Sequence, residues 1–102
     1  MKPTLGRIVH YILNSQDVQK INIRRAVRFD GGTLVHPGRE CAALITCVED
    51  KGVPGEPREI KLRVFLDGFD DLWVAQVRED PGEGDRRAPA LGTWHWPERE
   101  KP

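Results

Sequence analysis

Apolar and polar residues alternate along most of this chain, the pattern of strands with one buried face. Residues 7–13 (RIVHYIL) are rich in β-branched and aromatic side chains, follow Pro3 and Gly6, and end at the turn formers Asn14 and Ser15. They predict a first strand. Residues 42–48 (AALITCV) are almost continuously apolar, as a strand covered on both sides would be. Residues 60–67 alternate most regularly, with Ile60, Leu62, Val64 and Leu66 on one side and Lys61, Arg63, Phe65 and Asp67 on the other. With Asp67-Gly68 opening a tight connection and residues 72–78 (LWVAQVR) returning, residues 60–78 predict a β-hairpin.

Residues 20–29 put Ile21, Ile23, Val27 and Phe29 on odd positions, and Lys20, Asn22, Arg24, Ala26 and Arg28 on even ones. This predicts a strand with a core face and a basic face, Arg25 forming a bulge. Asp30-Gly31-Gly32 would then turn the chain into Thr33-Leu34-Val35. A short helix over 18–28 is the alternative, because Val18, Ile21 and Arg25 also share a helical face. Residues 51–59, holding Gly52, Pro54, Gly55 and Pro57, read as a loop, and residues 79–91 as an exposed acidic one.

Five or six short strands joined by compact turns predict an all-β fold: a small antiparallel barrel, SH3-like, with an OB-like barrel as the alternative. The 102 residues suffice for one domain. It is expected over residues 1–97, with a basic insert at 18–36, the acidic loop at 79–91 and a charged tail at 98–102. Sixteen basic and sixteen acidic residues give zero formal charge, which argues against a protein that coats nucleic acid. No apolar run approaches the roughly 20 residues that cross a bilayer, and the first residues do not read as a signal peptide. Cys41 and Cys47 on one strand would lie about 20 Å apart, beyond disulfide reach, so both are expected as reduced thiols in the cytoplasm.

The segments Gly6-Arg7-Ile8-Val9-His10-Tyr11, Cys41-Ala42-Ala43-Leu44-Ile45-Thr46, Val64-Phe65-Leu66-Asp67-Gly68, Leu72-Trp73-Val74 and Gly92-Thr93-Trp94-His95-Trp96-Pro97-Glu98 span most of the chain. Together they resemble a family of small uncharacterised proteins of tailed bacteriophages and of bacterial, often actinobacterial, genomes carrying prophages. The resemblance implies a phage-type origin, a small β domain and a bacterial host cell. It supplies no activity. The departure is residues 18–36, where the family's connection is usually shorter and less basic, so that segment counts as variable.

Three groups of residues could carry chemistry. Trp94 and Trp96 would fall on one side of an extended chain and His95 on the other. The indoles could stack on a base, or they could plug an open barrel end. Lys20, Arg24, Arg25 and Arg28 form a basic stripe with no acid from Val18 to Phe29. Against it stand Asp67, Asp70, Asp71, Glu79, Asp80, Glu83 and Asp85, offset only by Arg78. The stripe could grip phosphate, or pair with those acids within or between subunits. Metal binding is not expected, because His10, His36, His95, Cys41 and Cys47 form no CxxC or HxxxH pair, and Asp67, Asp70 and Asp71 lack calcium-loop spacing.

These features, with the phage-type origin that the resemblance implies, lead to the expectation of a non-catalytic accessory protein of phage type that binds a host or phage partner, with no cofactor and a homo-oligomer in view. The runner-up is sequestration of a small phosphate-bearing nucleotide ligand, Arg24, Arg28 and Arg39 holding phosphate while Trp94 or Trp96 stacks beside His95. A minor virion structural protein and a metal-independent ribonuclease stand behind these two. The ribonuclease would use His95 with Arg39, or a cysteine with a histidine.

Overall fold

The computed structural model describes residues 3–28, 34–49, 59–67, 70–80 and 90–97. The alternating runs become five strands: β1 (Ile8–Ile12), β2 (Glu40–Glu49), β3 (Glu59–Phe65), β4 (Asp71–Glu79) and β5 (Thr93–His95). They close into a small all-β barrel in sequential order, β5 returning to pair with β1. That order lacks the Greek-key exchange of an OB-like barrel. Four of the five pairings are antiparallel, and β4–β5 is parallel. Asp80 N–H donates to Trp94 O beside that parallel seam.

Register places the core in layers, because directly paired residues point to the same face. Tyr11 pairs with Cys41 on one side and Trp94 on the other. Val9, Ala43, Val64 and Leu72 form the next inward row, followed by Ile45 and Leu62. All of these are buried. A barrel of five strands has room inside only for such side chains. β2 is half-covered rather than covered on both sides: Cys41, Ala43 and Ile45 are buried, and Ala42 is exposed.

The strand expected over 20–29 is instead a helix, α1 (Ser15–Arg28). Its buried stripe is Asp17, Ile21 and Arg25, spaced four apart, while Ile23 and Val27 are exposed. The alternation of apolar residues was therefore coincidental. The local signal that decides it is a capping box, Asn14-Ser15-Gln16-Asp17. Asp17 N–H donates to Asn14 Oδ1 at 2.9 Å, and Asn14 N–H donates to Asp17 Oδ2 at 3.1 Å. Two orphan donors at the helix start are thereby satisfied, and the Asp17 carboxylate sits at the positive end of the helix dipole.

Buried Asp17 also accepts the Tyr11 hydroxyl at 2.5 Å, tying α1 to the end of β1. Burial and that bond push the Tyr11 phenol far above its ordinary value. Residues 34–36 are not a strand. Val35 is buried there, exchanging two hydrogen bonds with the Asn22 amide. The bulge expected at Arg25 lies elsewhere, at the register shifts between Ile45 and Cys47 and between Ile60 and Leu62. Opposite the second shift, Gln76 has φ 57°, the left-handed conformation that bulges use. The turn at Asp30-Gly31-Gly32, residues 51–58, residues 81–89 of the acidic loop and the tail at 98–102 lie outside the described residues.

Candidate functional site

Of the basic residues expected to grip phosphate, Arg24, Arg25 and Arg39 turn toward the chain's own acidic corner between β3 and β4. Arg25, buried on α1, forks onto Asp70 through Nε and Nη2, both at 2.9 Å, and donates again to Asp67 O at 3.1 Å. Arg24 Nη2 donates to Asp71 O at 2.7 Å and lies 4.0 Å from Asp70 Oδ2. Arg39, just before β2, reaches Asp67 at 3.3 Å on the surface. The fork holds the Asp70 carboxyl below the ordinary aspartate range and raises the Arg25 guanidinium further. Pairing within the chain thus occupies Arg24 and Arg39. The Arg28 side chain lies outside the described part of the structure.

Trp94 is 1% exposed and belongs to the core, so its ring faces are closed to a ligand. Trp96 packs beside it edge to face, centroids 5.3 Å apart, and the Arg7 guanidinium lies 6.0 Å above the Trp96 ring. The pair plugs the barrel. Gly92 makes this possible. Its φ is +73°, its N–H donates to Ile12 O at 2.7 Å, and a Cβ there would meet Asn14 Nδ2 at 2.9 Å. The start of β5 is pressed against the cap of α1 at the one residue that adds no side chain.

His95 points outward, as expected, into a cluster that sequence reasoning missed. It pairs directly with His10 of β1. The two rings meet at 5.7 Å and 83°. Glu40 opens β2 opposite Ile12, one diagonal step from His10. The carboxylate accepts from His95 Nε2–H at 2.5 Å, and the same oxygen lies 3.4 Å from His10 Nδ1. The three donor atoms fall within 4.8 Å of one another. No local spacing announces the group, because residues 10, 40 and 95 meet only through strand register.

Two further surfaces are open to solvent. Ile8, Leu44, Arg63 and Trp73 are register partners across β1 to β4 and form one outward row. Phe65 stands two residues beyond Arg63 on the same face, and Ile8, Phe65 and Trp73 are 48%, 46% and 54% exposed. Between α1 and β4 lies a half-open cleft of about 380 Å³, lined among others by Asn14, Gln16, Lys20, Trp73 and Gln76. Cys41 is buried, and that burial pushes its thiol up, which makes it a poor nucleophile. Cys47 is half-buried, and both thiols are free. The ribonuclease pairing of His95 with Arg39 is not assembled, since His95 engages Glu40 and Arg39 engages Asp67.

No family model, curated protein or solved structure matches the chain. No described helix is long and apolar enough to cross a membrane. Chemically, the arrangement offers a rigid aromatic and aliphatic surface, a small polar cleft and a set of nitrogen and oxygen donors.

Proposed function

We propose that this protein is a non-catalytic binding barrel, an accessory protein of phage type, that docks a protein partner on the outward row of β1 to β4. The observation that carries this reading is the exposure of Ile8, Phe65 and Trp73 on one rigid face, with Arg63 between them. Exposed apolar side chains scattered singly need no explanation, but a contiguous group centred on Trp and Arg has the composition of an interface hot spot. Lys61 lies 5.9 Å over the Trp73 ring and pairs with Glu49, and Arg63 pairs with Asp71. The aromatic and aliphatic groups of this face are thus interleaved with paired, solvated charges, the mixture of Trp, Arg and polar contacts that interfaces use. The phage-type resemblance of the Gly92–Glu98 segment supports a bacterial cell as the setting of that partner.

A photo-crosslinking residue at position 73, introduced in the producing bacterium, tests the reading. The expected result is one discrete adduct from position 73, absent from position 23 on the exposed face of α1 and lost in Phe65→Ser. Adducts of equal yield from both positions, or none from position 73, overturn it. The mass of the adduct separates a foreign partner from a second copy of the chain.

The cleft beside Lys20 favours a second reading, capture of a small phosphate-bearing ligand. Its volume lies in the range of small-molecule sites, and Lys20 and Trp73 offer a cation and a stacking ring at its wall. On that reading Lys20→Ala removes nucleotide binding, whereas Arg24→Ala acts only on stability.

A further inference from the structure

Independently of the docking face, we infer that His10, Glu40 and His95 form a binding site for a divalent transition-metal ion of the zinc class. Two imidazoles and one carboxylate are a donor set that such ions take, with water or an external ligand in the remaining position. Harder ions such as magnesium prefer all-oxygen sites, so the two nitrogens select against them. The groups come from three neighbouring strands and share the outer face of the barrel. Their backbones are therefore held by sheet hydrogen bonds, and only side-chain rotation is needed to adjust the geometry.

The spacing fits. Tetrahedral coordination at about 2.0–2.1 Å sets neighbouring donor atoms about 3.3 Å apart. Glu40 Oε1 and His10 Nδ1 already stand at 3.4 Å. Glu40 Oε1 and His95 Nε2 are at hydrogen-bond distance, 2.5 Å, and reach the coordination edge by opening less than about 1 Å. Both histidines and Glu40 are partly open to solvent, which gives an ion a path in and leaves its remaining position accessible. His95 Nδ1 is buried without a hydrogen-bond partner among the described residues. A ligating histidine normally donates that second N–H to an acceptor, so an affinity about ten- to hundredfold below that of a fully buttressed site is expected.

Position gives the ion a consequence. β5 is only three residues long, yet it closes the barrel between β1 and β4. An ion on His95, His10 and Glu40 clamps β5 to β1 and β2 at that seam, so occupancy stabilises the folded state.

Calorimetric titration of the full chain with zinc chloride, after chelator treatment and under reducing conditions, tests the site. One equivalent should bind, and the unfolding midpoint should rise with zinc. Glu40→Gln, at an exposed carboxylate, and His10→Gln should each weaken binding at least tenfold and remove the rise in midpoint. His36→Ala, the chain's third histidine, and Cys47→Ser should leave both unchanged. Circular dichroism on each variant confirms that it is folded. The inference is overturned if the folded wild type takes up no zinc, or if its binding survives Glu40→Gln and His10→Gln together. Loss of binding in His36→Ala or Cys47→Ser, with Glu40→Gln unaffected, overturns it equally.

Discussion

The fork between Arg25 and Asp70 is the main polar tie between α1 and the barrel, and Asp70→Asn tests its weight. The substitution preserves size and one acceptor oxygen but removes the charge, leaving a guanidinium buried on α1 with half of its fork. Asp70 is 16% exposed in its side chain, so solvent screening is limited. Deleting one partner of such a pair costs about 3–5 kcal/mol, and retention of one acceptor places Asp70→Asn near 3. Against a total of roughly 5–15 kcal/mol for a domain of this size, that is a large fraction. The pH dependence follows from linkage. The folded Asp70 carboxyl lies below its ordinary value, so the unfolded chain binds the proton more tightly. The stabilisation is thus fully present above the unfolded value near 3.9 and disappears as pH falls through the lower folded one. Urea unfolding of both proteins from pH 7 down to pH 3 measures this directly. The gap between them should be constant from pH 7 to about pH 5 and narrow below about pH 4. A gap under about 0.5 kcal/mol at pH 7, the scatter of ordinary surface substitutions, would refute the reasoning, as would a gap that does not change with pH.

Trp94→Ala should cost about 3–5 kcal/mol in urea unfolding, while Trp73→Ala on the outer row should cost under about 1; equal losses would mean that the plug and the surface have been misassigned. Gly92→Ala should lose about 2 kcal/mol, from a left-handed backbone and the contact with Asn14, and Asn14→Ser should recover part of it by shortening the cap while keeping its oxygen. Thermal unfolding of the double variant checks this, and no recovery would place the cost in the backbone alone. Alkylation of the native protein followed by peptide mass mapping should label Cys47 before Cys41, whose thiol is buried and raised. Labelling of Cys41 first would contradict that burial.

What could be read from the sequence follows from the range of each signal. β3 was plain in its alternation, because it buries one face, and β4 was legible as the returning arm of a hairpin, although the shift opposite Gln76 breaks its own alternation. α1 was obscured by Ile21, Ile23 and Val27, which alternate although only Ile21 is buried. The Asn14–Asp17 capping box was present to correct this, but Asn14-Ser15 also ends β1, and the two roles coincide. The acidic corner was foreseeable as a partner for the basic stripe, because opposite charges in one small domain meet readily. The His10–Glu40–His95 group was not. Its members are separated by long stretches of chain, and a shift of one residue in either register would turn His10 or His95 into the core.

The closure of the barrel by its last strand also sets the order in which the protein can fold as it is made. β2, β3 and β4 form a meander of near neighbours and can pair as soon as they leave the ribosome. The inward row of Tyr11 and Cys41 gains its cover only with Trp94, at the far end of the described chain. Until then the nascent sheet carries an uncovered apolar face and two open edges, the condition in which chains stick to one another or to chaperones. A chain cut short before Thr93 would therefore be an aggregation-prone sheet rather than a smaller version of the same domain.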